Sequence, residues 1–157
     1  MGRSSGSWLG GPTSALEDRQ DYAGKRLGLP AAGPGSIAPQ GRKALGYLLD
    51  LVAGLLIGGV ARLVDSGISR GAVSLAQTAA VLLEILVLQT LTGQSIGQRL
   101  TGSRLVNVHG GGPVLLRWVA LRLLVQTLPV PGLTAIVTDD DLRGLHDKAA
   151  GTVVVRS

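Results

Sequence analysis

Two carboxylates stand where carboxylates are costly. Asp50 lies inside the apolar run Ala44 to Val64, and Glu84 inside the run Gly71 to Leu91. A charged carboxylate in hydrocarbon costs roughly 2.5–3.5 kcal/mol on insertion scales, so it normally faces a partner or a water-filled cavity. Asp50 lies six residues into its run, and Glu84 seven from the end of its own. At 1.5 Å per residue, both sit about 9–12 Å from the same end of an antiparallel pair of helices. Two carboxylates at one depth can hold a proton or a monovalent cation between them. The competing reading pairs each with a basic residue, such as Arg42, Arg117 or Arg122.

Other constellations carry weaker chemistry. His146-Asp147-Lys148 is a compact polar cluster that would lock the turn before the C-terminal segment, or alternatively relay protons. Gly93-Gln94-Ser95-Ile96-Gly97 matches the hydrolase elbow pattern, but an elbow needs a buried strand before its serine and a helix after it in an α/β sheet. An apolar span precedes it here, so the match is read as chance and no enzyme is expected. Asp139-Asp140-Asp141 reads as a solvated loop, because three adjacent carboxylates cannot all point at one ion. With no cysteine and only His109 and His146, neither a thiolate nor a histidine-rich metal site can be built, and no metal or cofactor is expected.

The elements that must position these groups follow from composition. The chain has 157 residues, 45% hydrophobic and only 16% charged, against about 25% charged in an ordinary soluble domain. This favours a membrane protein. The two runs are 21 residues each, enough to cross a hydrocarbon core of about 30 Å. The short link Asp65 to Arg70 makes them a helical hairpin. Asp50, Gly54, Gly58 and Ala61 share one face of the first helix, and Gly54 with Gly58 forms a small-xxx-small pair that lets backbones approach closely. That face should meet the second helix or another copy of the chain.

Lys25, Arg26, Arg42 and Lys43 precede the first run, and Arg99 and Arg104 follow the second. The positive-inside bias therefore places the N-terminus and the segment after Leu91 in the cytoplasm. The same bias explains the net charge of +5 without nucleic acid. Residues 1–41, rich in Gly and Pro, read as a disordered cytoplasmic tail with no signal peptide; Trp8 and Leu9 would be its docking residues in the alternative reading. Ser103 to Val108 and Thr152 to Arg156 read as short strands that should pair. The third apolar segment, 114–137, carries Arg117, Arg122 and Gln126 and is interrupted by Pro129, Pro131 and Gly132. It is expected as an interfacial or partly inserted helix; a third crossing is the alternative. The fold class is thus an α-helical membrane protein: a transmembrane hairpin, a third helix and a small cytoplasmic β pair.

These residues together resemble the RDD family of small bacterial membrane proteins, named for one Arg and two Asp. Arg42 in GRKALGYLLD matches the Arg at the start of the first helix, Asp50 the Asp within it, and Asp147 in RGLHDKAAGTVVV the second Asp. TGQSIGQRLTGSRLVNV resembles the family's Gly-rich segment after the second helix. The resemblance covers residues 42–156, and the tail is similar to that of short actinobacterial members. It implies a multi-pass protein of the bacterial plasma membrane, with transport often suggested. Glu84 is not one of the naming residues.

Two functions follow. One is movement of protons or monovalent cations past Asp50; two spans cannot enclose a pathway, so this needs a homo-oligomer or a membrane partner. The other is a non-transporting adaptor that recruits a partner through the N-terminal tail.

Overall fold

The computed structural model describes residues 20–127 and 138–157. It is mostly helical. Helix α1 spans Gln40–Val64 and α2 spans Arg70–Thr92. Both are long and apolar enough to cross a membrane. Pro39 precedes α1, where its missing N–H costs nothing. Ser69 starts α2 by accepting from the Ala72 amide at 3.2 Å. Gly93 ends α2 at φ +74°, a left-handed conformation that suits glycine.

The hairpin closes on glycines. The buried residues of α1 are Gly46, Asp50, Gly54 and Gly58, every fourth position on one face. A Cβ on Gly54 would collide with the Val81 side chain, and one on Gly58 with Gln77. This face therefore meets the second helix of the same chain. The opposite faces stay bare: Leu55, Leu56 and Val60 on α1 and Leu75 and Leu83 on α2 are more than half exposed. Large apolar side chains this exposed along two long helices suit a hydrocarbon surround.

After Gly93 the chain turns back into a five-residue helix, α3 (Ile96–Leu100), packed against α1. Strand β1 (Ser103–Asn107) follows and pairs antiparallel with the C-terminal strand β2 (Thr152–Arg156), with Leu105 opposite Val154. Pairing satisfies backbone groups that neither strand could satisfy alone. Between them lie α4 (Leu116–Gln126) and the short α5 (Leu145–Ala149). Val119 and Leu123 of α4 pack with Ile85 of α2 and with Leu105 and Val154 of the sheet, so one apolar core joins the hairpin to the strands. The expected segment 114–137 is helical over Leu116–Gln126; residues 128–137 lie outside the described residues.

Residues 20–41 correct an expectation. Placed in a disordered tail by composition, they are packed instead. Ile37 bridges to Val155, the Ala38 amide donates to the Val154 carbonyl at 2.9 Å, and the Arg156 amide donates to the Ser36 carbonyl at 2.8 Å. The segment thus adds a third, short edge to β2. Ile37 and Ala38 are buried, and Ala23, Leu27 and Leu29 pack against Ile37, Val153 and Val155. A few apolar residues anchored to an open strand edge suffice to order a Gly/Pro-rich segment. Residues 1–19, with Trp8 and Leu9, lie outside the described residues.

The aspartate run corrects another. Asp141 is buried, not solvated, and accepts from the Gly24 amide at 2.9 Å and from Gln20 at 2.7 Å. Asp139 pairs with Arg143 at 2.9 Å and with Lys148 at 3.5 Å. The run is a clasp on the N-terminal segment.

Candidate functional site

Asp50 and Glu84 converge on one turn. At the start of α3 the first amides have no helical acceptors of their own. Asp50 takes the Gly97 amide at 2.6 Å with one oxygen and the Ser95 hydroxyl at 2.7 Å with the other. Glu84 takes the Ile96 amide at 2.8 Å. Ser95 and Gln98 complete a capping box: Ser95 Oγ accepts from the Gln98 amide, and Gln98 Oε1 accepts from the Ser95 amide at 3.0 Å. Gly97 must be glycine, because a Cβ there would collide with the Gly46 carbonyl. The two carboxylates thus lie at one level on antiparallel helices. Their shared partner is the turn, since no hydrogen bond joins one to the other among the described residues. The pairing of either with Arg42, Arg117 or Arg122 does not occur.

Those three arginines go elsewhere. Arg42 reaches back to the Gly102 carbonyl at 3.2 Å and holds the end of α1 to the turn before β1. Arg117 lies over the Trp118 ring, 5.3 Å from its centre. Arg122 is buried and donates through Nε to Asp147 at 2.9 Å.

Asp147 is the best-enclosed acid among the described residues, at 1% exposure. Besides Arg122, it has His146 Nε2 at 3.7 Å, and Thr152 Oγ1 lies 3.4 Å from its carbonyl. Burial alone pushes its carboxyl up. Arg122, His146 and Lys43 outweigh that penalty and hold it below the ordinary value of 3.8. The cluster therefore ties α4 to α5 and β2 as an ionised pair.

Asp50 and Asp147 come together across a cavity of about 600 Å³ between the hairpin, α4, α5 and the sheet. Its polar lining includes Lys43, Gln89, Gln98, Arg122, Gln126 and His146. Tyr47, Ile85 and Val154 supply apolar wall. The volume suits a small organic ligand. Neither Arg42 nor Glu84 lines it; Lys43, next to Arg42, does, and its ammonium is held by the Leu142 carbonyl at 2.6 Å.

The RDD family profile matches residues 43–151, more than two thirds of the chain, and takes in Asp50, the Ser95 turn and Asp147. The chain belongs to the RDD family. No curated protein and no solved structure matches it. The RDD match opens at Lys43, one residue after Arg42, and Lys43 lines the cavity together with Asp50, Arg122 and Asp147.

Several residues of the site were not singled out from the sequence. Ser95 and Gln98 were legible: Ser-x-x-Gln ahead of a helix is a capping-box signal. In the sequence Lys43 stands only as one of the basic residues that set topology. Gln89, buried at 2% exposure, carried no signal beyond being an amide in an apolar run.

Proposed function

We propose that this RDD protein is a two-span protein of the bacterial plasma membrane, with its N-terminus and its sheet in the cytoplasm. It works as an oligomeric transporter, or transporter subunit, for protons or monovalent cations. The observation that supports this reading is the convergence of Asp50 and Asp147 on one cavity at the sheet end of the hairpin. Ionisable groups near membrane depth that border a cavity are placed as ion-pathway groups are. Strand pairing supports the two-span topology: β1 and β2 sit in one sheet, so the chain between them begins and ends on the same side. Asp50 is the cation-facing carboxylate in this reading. Glu84 supports the turn that positions it.

The test is ion flux in proteoliposomes under imposed Na⁺ or K⁺ gradients, with lumenal pH followed by dye. Wild type should move protons against the cation gradient, Asp50→Asn should not, and Glu84→Gln should be only partly impaired. Flux unchanged in Asp50→Asn would overturn the carboxylate site. Absence of flux in correctly inserted protein would favour the adaptor, a role that would rest on the N-terminal tail.

A further inference from the structure

Two arginines at the end of the hairpin away from the sheet have no acid to answer them. Arg62 lies in the last turn of α1, Arg70 opens α2, and both are exposed. Neither makes an ion pair or a side-chain hydrogen bond among the described residues. The link between them holds a single acid, Asp65, which accepts from the Gly67 amide at 2.8 Å instead. The dipole of α1 explains Arg62, because a cation suits the carboxyl end of a helix. It does not explain Arg70, since a cation is disfavoured at the amino end of α2.

Both arginines line one hollow of about 370 Å³ between the two helices. Gly59 keeps it open, because a Cβ there would meet nothing. Leu55 and Gln77 are shared with a groove of about 510 Å³ that continues along the hairpin. Leu51, Val81 and Leu82 give that groove an apolar wall. Its polar groups near the hollow are already engaged with the helices: Thr78 Oγ1 donates to the Ser74 carbonyl at 3.0 Å, and Gln77 Nε2 to the Leu55 carbonyl at 3.5 Å. Among the described residues, no carboxylate lines the hollow or the groove. From Arg70 to Val81 is about 16 Å along α2 at 1.5 Å per residue, about half of a hydrocarbon core of about 30 Å. An uncompensated pair of guanidinium groups therefore stands above an apolar groove one leaflet deep. Guanidinium groups are matched to phosphate oxygens in geometry as well as charge.

We propose that this groove holds an anionic phospholipid, its phosphate between Arg62 and Arg70 and one acyl chain against Leu55, Leu51 and Val81. A headgroup with net negative charge is required, because a choline would bring a further positive charge to the two arginines. The lipid belongs to the outer leaflet in the two-span topology proposed above, and its binding does not depend on transport.

The experiment is native mass spectrometry of the full chain released from non-ionic detergent, with phosphatidylglycerol and phosphatidylcholine added in equal amounts. Wild type should retain phosphatidylglycerol in preference. Arg62→Gln and Arg70→Gln should each weaken that retention about fivefold, and the double variant about 25-fold, the share of one and of two arginines at a charged headgroup. Gly59→Leu keeps both charges but fills the hollow, and should weaken retention as well. The arginine variants should melt as wild type does in lipid-free detergent, since neither side chain has a partner in the fold. A lowered melt would mean that they serve the fold and would overturn the site. Full retention in the double variant would put the lipid on basic residues of the sheet end, such as Arg99 and Arg104, and would overturn it too. So would equal retention of phosphatidylcholine, or displacement of the lipid by inorganic phosphate alone, the mark of a free-anion site. A dimer in lipid-free detergent that Gly59→Leu breaks would put a second copy of the chain in the groove instead. Lipid retention is read without ion flux, so loss of either result leaves the other standing.

Discussion

At the residue scale, the acids of this chain do different work according to what surrounds them. Asp147 is ionised and enclosed, so its stability contribution follows from its partner. Removing Arg122 would leave a buried carboxylate uncompensated, and breaking such a pair costs about 3–5 kcal/mol. Arg122→Ala should therefore melt well below wild type in the same detergent. Because folding lowers the Asp147 pKa, its stabilisation is fully present above the ordinary value of 3.8 and is lost as pH falls through the lower folded value. Thermal melts should be insensitive to this group from neutral pH to about 5, with its share lost below pH 4. A melt that softened between pH 7 and 5 and traced to Asp147 would contradict the ionised pair. Ser95 supplies the second contrast. Its hydroxyl both donates to Asp50 and caps α3, so Ser95→Ala should cost about 1–2 kcal/mol, read as a lower melting temperature.

At the element scale, close approach decides the hairpin. Gly54 and Gly59 are neighbours in composition but not in environment. A methyl at Gly54 would strike Val81, whereas one at Gly59 meets nothing. Gly54→Ala should destabilise by about 1–3 kcal/mol through overpacking. Gly59→Ala should stabilise by up to about 1 kcal/mol through helix propensity. Equal melting of the two variants would mean that α1 and α2 do not meet along this face. The small-xxx-small spacing was legible in the sequence, and so, to within four residues at each end, were α1, α2 and both strands. The identity of the Asp50 partner was not. It comes from a turn 45 residues away that folds back along α1, and no periodicity reports a backbone amide as a partner.

At the scale of the whole molecule, the sheet joins the segment before α1 to the C-terminal strand. Residues 35–38, β2 and β1 lie side by side, and the Asp141 clasp holds residues 20–24 over the same region. Asp141→Ala should raise amide exchange in residues 20–39 while leaving α1 and α2 protected. Topology can be read directly, because the chain has no cysteine. Ser157→Cys and Ser66→Cys, labelled separately in intact cells with an impermeant maleimide, should react from opposite faces, Ser66→Cys alone being open to the outside. Labelling of both from one side would refute the two-span arrangement.

Membrane-length helices, the hairpin link, the strands and the RDD signature are properties of the sequence by itself, because hydropathy, period and turn residues are local. Arg42 shows where local reading stops. It carries the right residue type at the right place, yet its guanidinium is drawn to the Gly102 carbonyl, and the neighbouring Lys43 takes the cavity wall. Residues 20–39 show the same limit from the other side: their composition lacks the apolar surface to fold alone, and an open edge of β2 supplies it. Which buried oxygen is left without a donor is also decided only by tertiary structure. Gln89 acquires that role from the capping box of α3, a contact between groups nine residues apart that only the folded turn brings together.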